Sequence, residues 1–295
     1  LRLEIEHARD VVAADDHAAR VGGVDALHHV GEGLRELLVV DVAADGEGEV
    51  VNVGITQLLV SFDEAMDAAL AASSGNYLLI FGGNDGTLDT VACGPLQGDD
   101  QSLSIDSASY AGQTSTLTLN GATALTDGTY RLLVCASLED VAGNPLDGDG
   151  NGTSGDDFSR SFRVDLTPPT VALVDTVADT GDAALTELEP TNVAITELLV
   201  TFDEEVEGGD STASFLVVEG GLDGTLDTTV CGPLAGDDTS LPIDSAVYSS
   251  LTSTLALSGG AALADGEYRL LVCATLTDLG GNALALTDEA EEDVL

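Results

Sequence analysis

The sequence predicts an all-β protein built as two antiparallel β-sandwiches in tandem, and three observations carry that expectation. The first is duplication. NVGITQLLVSFDE from Asn52 returns as NVAITELLVTFDE from Asn192, and YRLLVCASLEDVAGNPL from Tyr130 returns as YRLLVCATLTDLGGNAL from Tyr268. Between them, DGTLDTVACGPLQGDDQSLSIDSASY from Asp85 is answered by DGTLDTTVCGPLAGDDTSLPIDSAVY from Asp223. The offset is 140 residues at the first landmark and 138 at the later ones. That is far beyond the roughly 20–50 residues of a solenoid repeat and matches a whole domain. The second observation is alternation: Leu58, Val60 and Phe62 share one face, as do Leu198, Val200 and Phe202, with Gln57, Ser61, Glu197 and Thr201 opposite. Period-two patterning of this kind marks a half-buried strand. The third is punctuation, since turn sequences such as NDGT, NGAT, TDGT and ADGE separate the apolar runs, as Gly, Asp and Asn do in turns.

Taken in order, residues 1–36 differ from the rest. They hold all four His, half of the Arg and no aromatic residue, and they read as a leader or a segment foreign to the repeats. His17, His28 and His29 with Asp15 and Asp16 match no metal-ligand spacing. Repeat one spans 37–165. It opens on LLVVDVAADGE, which aligns with VALVDTVADTGD in repeat two, and continues through TQLLVSF, YLLIF, STLTL and YRLLVCASL to a last strand, FSRSFRVD. LTPPT follows, and residues 166–170 read as a short stiff linker, because Pro168 and Pro169 cannot donate to a ladder and favour extended backbone. Repeat two spans 171–295 with TELLVTF, FLVVE, STLAL and YRLLVCATL, but nothing in it resembles FSRSFRVD. The second sandwich is therefore expected to be incomplete at its last strand. A fragment of a longer array explains that, and so does a strand donated by a neighbour to the exposed edge.

Composition narrows the class. Apolar residues make up 44% of the 295 positions, which excludes wholesale disorder, while aromatics are 4% and Trp is absent. The cores must be built from Val, Leu, Ile and Ala. The formal charge is −45, all eight basic residues are Arg, and Asp outnumbers Glu 34 to 19. Such a field repels phosphates and anionic lipid headgroups, so no nucleic-acid partner is expected. No apolar run reaches the length needed to span a bilayer, so no membrane insertion is expected either. Cys93 and Cys135, then Cys231 and Cys273, recur at the same spacing in the two copies. Matched placement favours Cys93–Cys135 and Cys231–Cys273 disulfides over buried thiols. Zinc is a poor rival, since neither repeat contains His. Bridges imply an oxidising, extracytoplasmic compartment.

The pattern I-T-x-L-L-V-x-F-D-E, then L-x-D-G-x-Y-R-L-L-V, then D-x-x-G-N-x-L resembles the bacterial Ig-like domains first associated with S-layer proteins (the SbsA type). The match covers Asn52 to Asp165 and Asn192 to about Leu284. The resemblance implies Ig-like sandwiches that serve as building blocks of large secreted or cell-surface proteins, including S-layers and adhesins. The Cys pairs and the missing last strand depart from the family pattern. Fold analogy of this kind does not by itself establish function.

One loop could carry chemistry. In DGDGNGTSGDDF, Asp147, Asp149 and Asn151 take positions 1, 3 and 5 of an EF-hand-like loop, with Gly152 at the sharp turn and Thr153 offering its carbonyl. Position 12 is Phe158 rather than Glu, and Asp156 and Asp157 could substitute only in a differently shaped loop. The candidate calcium ligands are thus Asp147, Asp149, Asn151, Thr153, Asp156 and Asp157, against the alternative of a solvated turn. Asp85, Asp89, Asp99 and Asp100, matched by Asp223, Asp227, Asp237 and Asp238, read as turn residues before they read as a shared ion site. Asp63/Glu64 and Asp203/Glu204 end strands and are expected to face water. Tyr130 and Tyr268 are candidate tyrosine-corner anchors.

Catalysis finds little support, because nucleophile–base pairs built on Ser or Cys need a His or Lys that the repeats lack. No enzyme activity is expected. The sequence points to structural spacer modules of a secreted or cell-surface bacterial protein of the cell envelope, with neighbouring repeats of the parent protein as partners and calcium as a stiffening ion. An adhesive module binding a glycan or protein is the alternative, and the accessory region of a secreted hydrolase is a third reading.

Overall fold

A computed structural model describes residues 2–7, 38–40, 48–177, 184–185 and 190–285. The chain divides into two compact units, Leu1–Leu166 and Thr167–Leu295. Unit one contains β1 (Arg2–His7), β2 (Leu38–Val40), β3 (Glu49–Val51), β4 (Gln57–Ser61), the short helix α1 (Ala68–Ala71), β5 (Tyr77–Phe81), β6 (Gln101–Leu103), β7 (Ile105–Ala111), β8 (Thr114–Leu119), β9 (Gly128–Val134) and β10 (Phe158–Val164). Unit two contains β11 (Val171–Thr176), β12 (Glu197–Phe202), β13 (Val206–Glu207), β14 (Phe215–Glu219), β15 (Thr239–Leu241), β16 (Ile243–Ser249), β17 (Thr252–Leu257), β18 (Tyr268–Val272) and β19 (Thr277–Asp278).

In unit one the strands form two five-stranded sheets, ordered β2-β1-β4-β8-β7 and β3-β10-β9-β5-β6. The sheets share one core: Leu58, Val60, Leu117 and Leu119 from the first pack with Tyr77, Leu79, Tyr130, Leu132, Val134 and Phe162 from the second. Alternation along β4 and β8 thus buries one face of each strand between two sheets, which is the sandwich expected from the pattern. Tyr130 stacks on Phe162 with ring centroids 5.5 Å apart, and Phe81 closes on Tyr130 at 5.4 Å. These rings sit in a core otherwise made largely of Leu, Val and Ile. The Tyr130 hydroxyl donates to the Thr126 carbonyl at 2.8 Å, and Tyr268 repeats this toward Ala264 at 3.1 Å. Both are the corner anchors expected of them.

Among the described residues unit two repeats the plan with fewer strands: β11-β12-β17-β16 in one sheet, β15-β14-β18 in the other, and a β13-β19 pair. Leu198, Val200, Phe202, Leu255, Leu257, Phe215, Val217 and Leu270 share its core. Among the described residues no strand takes the place on β18 that β10 takes on β9. The expectation of an incomplete last strand falls on residues 286–295, which lie outside the described set.

Three features add to the expectations. Arg2–His7, read as part of a leader, pairs antiparallel with β4, where β11 pairs with β12 in unit two. Its sequence RLEIEH alternates apolar and charged residues, so it suits the edge that LLVVDVAADGE was expected to fill. Leu38–Val40 pairs instead with the other edge of β1. The rest of the leader, with His17, His28, His29, Asp15 and Asp16, lies outside the described residues. Second, the Pro-Pro stretch is tied to unit two: the Ala285 amide donates to the Pro169 carbonyl at 2.9 Å, and Thr170 donates through its amide and its hydroxyl to the Asp203 carboxylate, both at 2.7 Å. Asp203 is therefore an anchor as well as an exposed strand-end residue. Third, β7 and β16 form hairpins with β8 and β17 across two-residue turns at Gly112–Gln113 and Ser250–Leu251, where every φ is positive. That is the signature of the type I′ turn, whose twist matches that of the strands.

Candidate functional site

The predicted cation loop runs from Asp147 to Asp157 and leads directly into β10. Its neck is closed by backbone: the Leu146 amide donates to the Leu138 carbonyl at 2.9 Å, and the Gly155 amide donates to the Leu146 carbonyl at 2.7 Å. At Gly148 a Cβ would meet the Asp157 carbonyl carbon at 2.2 Å, so only glycine lets the two arms of the loop approach this closely.

Within the loop the carboxylates converge. Asp147, Asp149 and Asp156 each offer an oxygen within 4.8 Å of the others. Backbone amides meet them from inside. Asp147 accepts from the amides of Asn151 at 3.1 Å and Gly152 at 2.8 Å. Asp149 accepts from the Asn151 amide at 3.0 Å and its side chain at 2.8 Å. Asp156 accepts from the amides of Gly148 and Asp149. The Asn151 side-chain oxygen takes the Thr153 amide at 2.8 Å. A set of hard carboxylate oxygens on a tight glycine-rich loop fits a calcium ion, which takes oxygen ligands in flexible geometry. Asp147, Asp149 and Asp156 are the residues that would hold one.

Asp157 has a different job from the one its sequence position suggests. Its carboxylate accepts from the Cys93 amide at 2.6 Å and from the Ala136 amide at 2.7 Å, fastening the start of β10 to both sides of the Cys93–Cys135 bridge. It stands apart from the convergent three. Both expected disulfides are formed, Cys93–Cys135 and Cys231–Cys273, each joining residues 42 apart in sequence with Cα atoms 5.6 Å from one another. There are no free thiols.

The recurring DGTLD…GDD segments behave as turns. Asp85 and Asp223 accept from the amides two residues on, Thr87 and Thr225. Asp99 and Asp237 accept across the loop from Asn84 and Leu222 at 2.7 Å. Asp100 and Asp238 are buried and accept the amides of Thr90 and Thr228 at 2.7 Å. Asp223, Asp227 and Asp237 lie within 4.8 Å of one another in unit two. Among the described residues no such grouping forms from Asp85, Asp89 and Asp99, so the recurrence follows turn chemistry and not a shared ion site.

Arg131 was not singled out by the sequence reading, yet it organises this region. Its guanidinium donates to the carbonyls of Leu88 at 3.2 Å and Thr90 at 2.8 Å and to the Ser161 hydroxyl at 3.1 Å. Arg269 reaches Leu226 at 3.2 Å and Thr228 at 2.6 Å in the same way. The available signal was an Arg inside an apolar strand, duplicated in a chain with eight Arg.

Beside the Asp147–Asp157 loop lies a concavity of about 400 Å³ lined by Phe62, Asp63, Glu64, Asp140 and Asp147, among others. Asp140 fixes its floor by accepting the amides of Ala142 at 2.7 Å and Asn144 at 2.9 Å, and the Asn144 side chain at 2.7 Å. The Asn144 backbone amide, then its side chain, hold the Asp140 carboxyl below the usual carboxylate range. Among the described residues no helix is long and apolar enough to cross a membrane. No family model matches the chain, and no curated protein matches it.

Proposed function

We propose that the two units are non-catalytic spacer modules of a secreted or cell-surface bacterial protein, related to the Ig-like domains of the S-layer type and stiffened in the first copy by calcium. The observation that carries this reading is the repetition of one whole sandwich, with its own core and a bridge of the same sequence separation, in both units. A chain that duplicates an entire self-contained module is suited to spanning distance. The two disulfides support an extracytoplasmic location, and the cell envelope follows from the resemblance. Neighbouring repeats of the parent protein are the natural partners.

Two experiments test this. Calorimetry of the full chain should show two separable transitions, and Phe202→Ala in unit two should lower one and leave the other in place. A single transition that shifts as a whole would sink the strung-module reading. Millimolar calcium should raise the midpoint of unit one relative to chelator, and Asp147→Ala with Asp149→Ala should abolish the rise, because an ion that binds the folded state alone stabilises it. An unchanged midpoint would remove calcium and leave the spacer.

The acidic concavity beside the loop favours one other reading, an adhesive module that takes a glycan or protein ligand. Binding of the chain to a glycan array, lost on Asp63→Ala with Glu64→Ala, would support it over a plain spacer.

A further inference from the structure

The loop before β10 carries a second pattern, one that an ion does not use. Asn151, Gly152 and Thr153 form an Asn-x-Thr triplet, the acceptor sequence for N-linked glycans. The chain holds eight Asn, and none of the other seven has Ser or Thr two positions on. The triplet is therefore unique in the chain.

Its surroundings leave room for a large group. Residues 149–155 are all exposed. Gly150, Gly152 and Gly155 take φ values of 69°, 85° and 108°, and a Cβ on any of the three would meet nothing within 4 Å. The glycines that turn the loop thus also clear the space on both sides of Asn151.

Local hydrogen bonds set which edge of the Asn151 side chain is presented. The Thr153 amide donates to Asn151 Oδ1 at 2.8 Å, which turns the carbonyl edge toward the loop's own backbone. One Nδ2 hydrogen goes to Asp149 Oδ2 at 2.8 Å. The second Nδ2 hydrogen, like the Thr153 hydroxyl that completes the triplet, has no partner among the described residues.

We propose that Asn151 is an N-glycosylation site, modified by a transferase that uses a phosphate-activated oligosaccharide, an inference that rests on the secreted or cell-surface reading. In the transfer, Nδ2 forms a bond to the anomeric carbon of the sugar. The bond from that carbon to its phosphate leaving group breaks, and one Nδ2 hydrogen departs as a proton to a base on the transferase. The other hydrogen stays on Nδ2, where it can still donate to Asp149. In unit two the segment GGNALAL offers no such triplet, so the glycan marks the first module alone.

The test uses the full chain purified from the cells that make it. Trypsin cutting after Arg131 and Arg160 releases the peptide Leu132–Arg160, which contains the triplet. Mass spectrometry should find this peptide carrying a glycan attached at Asn151. Asn151→Gln and Thr153→Ala should each abolish the modification. Thr153→Ser should keep it, which separates loss of the acceptor signal from loss of the fold. A bare Asn151 in the parent chain, or a glycan that survives either Asn151→Gln or Thr153→Ala, would overturn the proposal. A thiol assay on the same intact sample tells two failures apart. Bare Asn151 with all cysteines bridged overturns the glycan site and leaves the exported reading standing, whereas bare Asn151 with free thiols overturns both.

Discussion

The carboxylate of Asp157 joins the two ends of a disulfide neighbourhood: it takes the amide of Cys93, 64 residues away in sequence, and that of Ala136, 21 away. A single side chain therefore ties the last strand of unit one to the loop and to the strand end that the bridge connects. Removing it strands two backbone donors in a partly buried place. Asp157→Ala should lower the stability of unit one by about 2–3 kcal/mol, the range for hydrogen bonds to a charged group. Urea unfolding of the full chain, following unit one, measures this, and Asp157→Asn should recover part of the loss because its amide oxygen still accepts.

Tyr77 supplies a titration probe. Its hydroxyl is buried and donates to the Ala71 carbonyl at 2.8 Å, with the Ser115 hydroxyl also within hydrogen-bond distance at 2.8 Å. Burial pushes its pKa up to about 12, against a smaller opposing effect from Ser115. A raised value means that the fold favours the protonated phenol, so its contribution is complete below the unfolded value near 10 and is lost as pH rises through 12. Ultraviolet titration should find one tyrosine ionising with alkaline unfolding, and Tyr77→Phe should remove that step. Unit two carries Phe215 at the equivalent place, which makes it an internal control.

Asp140 has the opposite sign. Its carboxyl is held low by the backbone and side-chain amides of Asn144, with Ala142 and Gly143 adding to them. A lowered value contributes stability above the unfolded value near 4, and that contribution disappears as pH falls through the folded value. The stability difference between the parent chain and Asp140→Ala, measured by urea unfolding across pH, should therefore be largest near neutrality and shrink below about pH 4.

Both bridges close loops of the same length, 42 residues apart. Loop-closure entropy for that span is about 4 kcal/mol. Cys93→Ser with Cys135→Ser, and Cys231→Ser with Cys273→Ser, should destabilise their own units by similar amounts, read as separate shifts in calorimetry.

The turn at Ser250–Leu251 places two ordinary residues at positive φ, 52° and 69°. Replacing them with Asn-Gly, the pair that suits this turn, should stabilise unit two by about 1 kcal/mol, since left-handed backbone costs roughly 1–2 kcal/mol per ordinary residue. Chemical denaturation measures the gain.

Much of this architecture was legible in the chain itself. Duplication located both sandwiches. Alternation located β4 and β12, turn-bounded apolar runs located β8 and β17, and matched cysteines located the bridges. What stayed hidden depends on contacts distant in sequence. Asp157 looked like one more oxygen of a cation loop, and only the folded positions of Cys93 and Ala136 show it as a fastener. Arg131 looked like a polar residue in a strand, because the carbonyls it holds lie about 40 residues upstream. Arg2–His7 alternates correctly, yet more than forty residues separate it from β4, so nothing local marked it as that strand's neighbour. The hairpin of β16 was hidden because Ser-Leu carries none of the Asn, Asp or Gly that a type I′ turn favours.

The bridges also set how far each unit can be drawn out. Under tension an unbridged stretch of 42 residues would lengthen to about 140 Å. The bonded pair holds the same stretch to the 5.6 Å between its Cα atoms, and the second unit carries an equal restraint. Oxidation thus fixes the contour of the chain under load: reduced, each unit gives slack, and oxidised, it behaves as a short tether whose yield comes from the residues outside the loop alone.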